Sequence, residues 1–507
     1  KDLNTCVDWR TLAMDKNGWK QKQLFHSNMK NTLKFTAALA FLLLSLMAGA
    51  QEVWSLERCV RYAQENNLTI KQAVANVKTS VLSERQAKAA RLPNISASFN
   101  AGEQFGYTID PTTNSFSTQA TGYNSVGLNA SISLFQGGQI HHAVKQSGWD
   151  RRAAEADAEQ SINNISLQVA SAFLNILLFE EQAQNANRRV ALSQSQLSVT
   201  QKMIDAGTVP MVDKYNTEAQ IARDQQSAVI SQNNIDLAYL NLKQLLQLEP
   251  DYDLRIEKPL VPVPEDAAPE ALTLSPVYQT ALGTQPSVRA ADHRVESARE
   301  GIYIAKSAYY PSVGFGVNLN SNYSTAFKTP ERIDEFPYIF PVIIDGENRI
   351  LEIPGQQIQV PVNIQRVPYF DQMNRNFGQS VGLNISIPIY QNGRTRLSVE
   401  RANLNLLNAQ LQQNQTRQTL KNDIQTAIAN ARAADKQFEA AQRTLNSTTL
   451  AYENMEKRYT VGAVNAFDLT TAKNNRDNAE NDMVVAKYDF LFKLKILDFY
   501  LGKPISL

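Results

Sequence analysis

The sequence has too few cysteines and histidines for a disulfide framework or a metal site. Cys6 falls in a segment that we expect to be removed, which leaves Cys59 without a second cysteine. The adjacent His141 and His142 point about 100° apart on a helix and do not share a face. We therefore expect no cofactor and no metal.

An excess of charge of either sign is also missing, since 50 Lys and Arg residues stand against 49 Asp and Glu residues. A basic surplus is the usual electrostatic footprint of a nucleic-acid partner, so we exclude that class of ligand. Catalytic signatures are equally scarce, with no Ser/His/Asp arrangement, HExxH motif or glycine-rich phosphate loop. We expect a protein that is not an enzyme.

Long hydrophobic runs are absent beyond residue 50, where no stretch of 18 or more apolar residues occurs. A membrane-spanning helix needs about 20 such residues. Only helices and closed β-barrels satisfy every backbone hydrogen bond in lipid. If the mature chain crosses a membrane, it therefore crosses as a barrel.

Residues 29–50 have the parts of a secretory signal peptide: two lysines, an apolar core from Phe35 to Met47, and a small-residue end. The alternative is a transmembrane anchor, for which a core of 13 residues is short. We expect cleavage before Gln51 and export from the cytoplasm. Residues 1–28 precede the expected start at Met29, and we interpret them as an over-extended reading frame outside the mature protein.

The rest of the chain consists of two similar internal repeats. Displacements of 218 and 255 residues superimpose matching residues; the aligned segments are 56–100 with 274–318 and 126–213 with 381–468. The change of displacement is an insertion of 37 residues between Asn318 and Val381. We therefore expect a first repeat at 51–270 and a second repeat at 271–507.

Each repeat contains two segments that alternate with a period of two, as half-buried strands do. They lie near 94–107, 123–135, 312–323 and 377–390. One face is apolar and the other carries Gly, Ser and Asn, which suits a lipid-facing wall around a water-filled lumen. Four strands cannot close a barrel, for which about eight are needed, so several chains must combine. The alternative is a soluble β-sandwich.

The remaining segments of each repeat are helical by period. They are 55–92, 140–206 and 211–248 in the first repeat and 273–310, 394–461 and 466–501 in the second. The two longest reach roughly 100 Å at 1.5 Å per residue, far beyond a globular helix. Gly207 and Gly462 separate each long helix from its return helix. A lone coiled-coil hairpin is the alternative. Small residues, Gln and Asn lie on many faces of these helices, however, and this pattern favours packing against several neighbouring helices.

The insertion makes the second repeat's loop, 324–376, long and rich in proline. We expect it to lie outside the cell, with a small hairpin that turns at Asp345–Gly346. A surface loop without function is an equal alternative.

The order of helix, strand pair, long helix, glycine turn and return helix resembles the TolC-like outer-membrane efflux family over residues 52–507. The most specific segments are the glycine turns, AGTVPMVDKYNTEAQ at 206–220 and VGAVNAFDLTTAKNN at 461–475. The resemblance implies a mixed α+β membrane protein with two internal repeats. Three chains of four strands each would form a 12-stranded outer-membrane β-barrel, continued by a long periplasmic α-helical barrel.

The same resemblance implies a channel of a tripartite efflux or type I secretion system that passively exports cargo. The implied partners are two further copies of the chain, a periplasmic adaptor (membrane fusion) protein, an inner-membrane transporter and outer-membrane lipid. The adaptor is expected to dock at the turns of Gly207 and Gly462. A soluble periplasmic coiled-coil adaptor or scaffold is the alternative, although it does not need duplicated amphipathic strands.

An aspartate follows each glycine turn after six residues, at Asp213 and Asp468. The resemblance makes both residues candidates for an acidic ring at the periplasmic constriction. The alternative is that each aspartate only stabilises the first turn of a return helix. Two positions depart from relatives: Val464 stands where a gate-locking arginine occurs in some of them, and Thr471 where a second aspartate occurs.

Overall fold

A computed structural model describes residues 53–109, 114–118, 120–259, 269, 273–344 and 346–503. The expected signal peptide and the residues before it lie outside this range. The nine helices of the described part are α1 Leu56–Asn66, α2 Leu68–Ala89, α3 Gln139–Asp205, α4 Val212–Leu246, α5 Leu274–Thr284, α6 Pro286–Ser307, α7 Tyr369–Arg375, α8 Arg394–Thr460 and α9 Ala466–Tyr500. Its eight strands are β1 Asn94–Gln104, β2 Thr108–Ile109, β3 Phe116–Ser117, β4 Thr121–Gln136, β5 Ser312–Ser324, β6 Lys328–Ile344, β7 Glu347–Arg366 and β8 Gly378–Ser386.

The helix before each strand pair is broken in two, whereas the sequence predicted one continuous helix at 55–92 and another at 273–310. Asn67 and Gln285, which are equivalent in the two repeats, stand in extended backbone at the breaks. The Asn67 side chain accepts from the backbone N–H of Thr69 at 2.9 Å and so caps α2. Its amide also donates to the carbonyl of Leu245 at 2.9 Å, which ties the break to the end of α4.

The main sheet is antiparallel in the order β1-β4-β5-β8. Its register keeps the two kinds of side chain on separate faces. Leu128, for example, stands opposite Ala97 on one side and Leu319 on the other. Strands β1 and β8 each have a free edge, so the sheet of one chain is open.

The helices next to the sheet follow the same order as the strands. Helix α2 packs on α3, α3 on α6, and α6 on α8. Each of these helices directly precedes or follows one strand of the sheet along the chain. The free edge at α8 carries leucines at heptad spacing that are about half exposed or more: Leu397, Leu404, Leu407 and Leu411. One chain is therefore a segment of a wall, with apolar surface where the next segment must pack.

The long helices α3 and α8 have 67 residues each, which corresponds to about 100 Å. Helix α4 packs along α3, and α9 along α8. The largest core lies around the middle of α3, where Phe173 and Ile176 are fully buried with Leu242 and Leu246 of α4. In the described part of the chain, α3 alone has an 18-residue stretch apolar enough to span a membrane, with mean hydropathy 1.5. Half of that stretch is buried inside the protein, so packing accounts for its composition.

The inserted segment is largely regular, whereas the sequence predicted a loop at 324–376 with only a small hairpin. Strands β6 and β7, of 17 and 20 residues, form one long antiparallel hairpin with Gly346 at its turn. The fully buried side chain of Gln372 in α7 fixes the base of this hairpin. It accepts from the Ser324 N–H at 3.0 Å and donates to the carbonyls of Ser324 and Val367 at 3.1 and 2.9 Å. The side chain thereby joins the end of β5 to the chain that follows β7.

Candidate functional site

The two helix tips have the same turn geometry. Gly207 and Gly462 adopt left-handed backbone with φ of +71° and +72°, which only glycine adopts without strain. The N–H three residues after each helix's last position donates to the carbonyl five residues earlier, Thr208 to Met203 and Ala463 to Arg458. This is the Schellman arrangement, and it turns the chain sharply at the end of a long helix.

The two aspartates of the tips lie in different environments. Asp213 is buried, with 6% of its surface exposed, and burial raises the pKa of its carboxyl group. Asp468 is half-buried in the first turn of α9. The side chain of Asn465 accepts from the Asp468 N–H at 2.8 Å and caps this helix. The cap of α9 is thus supplied by Asn465, and the Asp468 carboxylate is not needed for it.

A buried ionic cluster joins the two repeats just behind the tips. Lys473 of α9 lies 3.0 Å from Oδ2 of Asp224 in α4 and 3.1 Å from Oδ2 of Asp477. Ser193 of α3 donates to Asp224, and Gln220 donates to its other oxygen at 2.9 Å. Because less than a tenth of each charged side chain is exposed, the charges depend on one another for compensation.

Two arginines extend this cluster to α8 and along α3. Arg476 donates to the carboxylate of Asp477 and stacks over the ring of Tyr452 in α8 at 4.5 Å. Arg189 of α3 donates to the backbone carbonyl of Asp477. The cluster therefore touches all four tip helices. The repeat pattern could not reveal it, because Lys473 aligns with Glu218 in the first repeat.

The barrel sheet has one face of small, uncharged polar groups. In β1, β4, β5 and β8 this face carries no acidic or basic side chain. Asn318 donates to Asn129 across two strands at 2.9 Å. Its central residues are Ser98, Asn100, Gly127, Asn129, Ser131, Gly316, Asn318, Ser380, Gly382 and Asn384. Such a face suits contact with water in a lumen.

The opposite face is an apolar band with aromatic residues at both ends. The band consists of Ile95, Phe99, Val126, Leu128, Ile132, Val313, Phe315, Val317, Leu319, Val381, Leu383 and Ile385. At the end far from the long helices, Tyr323 packs against Tyr369 of α7 with ring centroids 5.0 Å apart. At the other end Tyr309, Tyr310 and Tyr390 are exposed. Aromatic girdles around an apolar band are typical of outer-membrane barrels.

Comparison with known proteins agrees with this architecture. The family model described as outer membrane efflux protein matches residues 60–247 and 277–503, which is most of the chain. The chain belongs to the outer membrane efflux protein family. The two matched segments correspond to the two repeats. The soluble alternatives, a β-sandwich or a periplasmic adaptor, are not favoured.

Members of the outer membrane efflux protein family are similar to this chain at low identity. Outer membrane protein TolC of Salmonella enteritidis is 28% identical over 222 residues, which cover 42% of this chain and 44% of the relative. The chain thus spans less than half the length of that relative. Outer membrane efflux protein BepC of Brucella suis is 20% identical over 441 residues, covering 85% of this chain and 82% of the relative.

A solved structure shows the same fold. The outer membrane protein VceC from Vibrio cholerae superimposes with a TM-score of 0.69 at 17% identity, covering 88% of this chain and 96% of that chain. The predicted fold class is confirmed: a mixed α+β membrane protein with two repeats and four strands per chain in a trimeric outer-membrane barrel continued by a periplasmic helical barrel. The family is one of transport channels and not of enzymes. The roles of Asp213, Asp468, Gly207 and Gly462 stay predictions.

Proposed function

We propose that this protein is the outer-membrane duct of a tripartite efflux or type I secretion system, through which cargo passes without a catalytic step. The observation that carries the proposal is the wall of strands and long helices in one common order, with free edges on both sides. Three such segments enclose one continuous passage from the periplasmic tips to the outer surface. The uncharged polar sheet face lines its outer part.

The periplasmic end of this passage is the proposed gate, with Asp468 as its main acidic residue. Its carboxylate is half-buried and does not cap α9, because Asn465 provides the cap. Asp213 is the weaker candidate, because burial raises the pKa of its carboxyl group and so opposes a negative charge. Three copies of Asp468 around a narrow opening would concentrate cations and repel anions.

Replacing Asp468 with Asn is expected to abolish cation preference and block by divalent cations from the periplasmic side. Asn keeps the size of the side chain and removes its charge, so trimer stability should hardly change. The measurement is reversal potential and conductance in planar bilayers under a salt gradient. The matched control is Asp213→Asn, for which we expect a smaller change. Unaltered selectivity in both variants would leave neither aspartate with a role in the gate.

The tips also carry the proposed docking surface for a periplasmic adaptor, which connects the duct to an inner-membrane transporter. Beside Gly462, Val461 and Phe467 are 78% and 72% exposed. Beside Gly207, Met211 and Val212 are more than half exposed. Apolar groups grouped at a water-facing turn favour a protein partner. The cargo is then selected by the transporter, while the duct is passive.

The double change Val461→Ser and Phe467→Ser is expected to abolish export in cells and to leave the isolated channel intact. The apolar contact area for the partner is lost, whereas the backbone of the turn is kept by Gly462. Export of a fluorescent substrate from intact cells and conductance in bilayers are to be compared for the same variant. Leu450→Ser, which alters an exposed leucine farther along α8, is the control. Normal export by the double variant would argue against docking at this tip.

A further inference from the structure

The residues of the two free edges of the sheet determine the register in which strands of neighbouring protomers pair. Strand β1 has 11 residues and β8 has 9. We infer that Gly378 of one protomer pairs with Gln104 of the next, and that Phe377 and Phe105 then meet at the outer rim. This inference rests on the trimeric fold of the family and is independent of the cargo and of the gate.

The faces of the sheet restrict the register to steps of two residues. A slip of one residue would place the apolar side chains of β8 beside the polar ones of β1. Pairing all nine residues of β8 with residues of β1 leaves two registers. Gly378 stands opposite either Gln104 or Gly102, and Ser386 opposite either Ser96 or Asn94.

A closed barrel needs its paired strands to be shifted along one another, so that the strands tilt. Both registers give such a shift. Within one protomer the register leads from Ser98 through Gly127 and Asn320 to Gly378. If Gly378 paired with Ser98 of the next protomer, the strands would have no tilt. Closed barrels do not have untilted strands. Pairing Gly378 with Gln104 moves the path by six residues, which corresponds to a tilt of roughly 45° at about 3.3 Å per residue and about 4.8 Å per strand. Pairing with Gly102 gives roughly 35°, and outer-membrane barrels tilt by about 35–45°, so tilt permits both registers.

The side chains decide between the two registers. With Gly378 opposite Gln104, Leu383 stands opposite Phe99 and Gln379 opposite Glu103. The next position toward the outside places Phe377 opposite Phe105. Phe377 and Phe105 are 50% and 74% exposed in the protomer, so both rings have surface left for a contact with a neighbouring chain. In the other register Phe377 stands opposite the carboxylate of Glu103, and Gln379 opposite Ala101.

The favoured register thus joins apolar to apolar and polar to polar residues at every position of the lipid-side face. Aromatic cross-strand pairs stabilise a sheet relative to alanine pairs. Three Phe105–Phe377 contacts, one at each seam, would close the outer rim where the strands end. The seams between chains would therefore be joined by aromatic contacts at the lipid–water boundary.

Cysteine cross-linking distinguishes the two registers in the intact trimer. The pair Phe105→Cys and Phe377→Cys should give disulfide-linked dimers and trimers on non-reducing gels, because directly opposite Cβ atoms lie about 4.5–5.5 Å apart. The matched control, Glu103→Cys and Phe377→Cys, places the thiols on a diagonal of about 7–8 Å and should cross-link several-fold less. The native Cys59 does not interfere, because burial raises the pKa of its thiol to about 12.

A second comparison keeps the test valid if changes at the rim impair assembly. The pair Phe99→Cys and Leu383→Cys should cross-link well, and the pair Ala97→Cys and Leu383→Cys poorly. Light scattering of each variant shows whether the trimer has formed. Preferential cross-linking of the control pairs in a normal trimer would overturn the inferred register in favour of the other one. Equal absence of cross-links from all four pairs in a normal trimer would overturn the edge pairing itself.

Discussion

Replacing Lys473 with methionine is expected to destabilise the periplasmic tips by about 3–5 kcal/mol, the usual cost of breaking a buried ion pair by removing one partner. The ammonium group lies within 3.1 Å of two carboxylates, Asp224 and Asp477. Methionine fills a similar volume, but it deprives the buried Asp224 carboxylate of its cation, whereas Asp477 keeps Arg476. The loss should appear as faster amide hydrogen exchange around 193–224 and 466–477, with little change near the barrel.

Two further variants separate electrostatic from steric effects. In Lys487→Met the lost partner is Glu181 at 3.3 Å, and this pair is much more exposed, so we expect a change below about 1 kcal/mol. The double variant Lys473→Met, Asp224→Asn removes the charges on both sides of the Lys473–Asp224 contact, keeps Asp477 paired with Arg476, and should recover much of the lost stability. Equal exchange rates in Lys473→Met and Lys487→Met would show that the buried cluster does not hold the tips together.

The architecture could be predicted from the sequence because its elements are long and strongly periodic. The predicted long helix at 140–206 and the observed one, Gln139–Asp205, differ by one residue at each end. A glycine at a helix end, such as Gly207, is a local signal that needs no tertiary contact. The alternating strands and their two kinds of face could be read in the same way, from residues two positions apart.

The features that the sequence did not reveal depend on contacts between distant segments. The break at Asn67 is stabilised by a hydrogen bond to Leu245, and no helix period predicts such a contact. The buried cluster combines Lys473 with Asp224, which are far apart in the chain and have no counterpart in the other repeat. The full length of the β6–β7 hairpin was not predicted from the sequence, for a different reason. Its prolines interrupt the strand pattern locally, whereas in the structure they are accommodated in a two-stranded sheet whose outer edges need no donor.

Replacing Leu128 or Ile385 with arginine is expected to impair assembly of the barrel in the membrane, whereas Ser131→Arg should fold and change the conductance. Leu128 and Ile385 lie within the apolar band, where an arginine on the lipid face costs about 2–4 kcal/mol at the midplane and less toward the ends of the band. The cost recurs in all three chains of the trimer. Ser131 lies on the polar face, only three residues along the same strand from Leu128, and stands opposite Gly316.

The Ser131 variant is therefore a control on the same strand as Leu128 that alters the opposite face. A lumen filled with water solvates the guanidinium group, so this variant should form trimers at the normal level in outer-membrane fractions. Three added positive charges on a sheet face that is otherwise uncharged should shift the reversal potential toward anions. Assembly is measured by the yield of heat-modifiable trimer, and selectivity by bilayer recording. If Leu128→Arg assembled as well as Ser131→Arg, the apolar band would not face lipid, and the assignment of the two faces of the sheet would have to be exchanged.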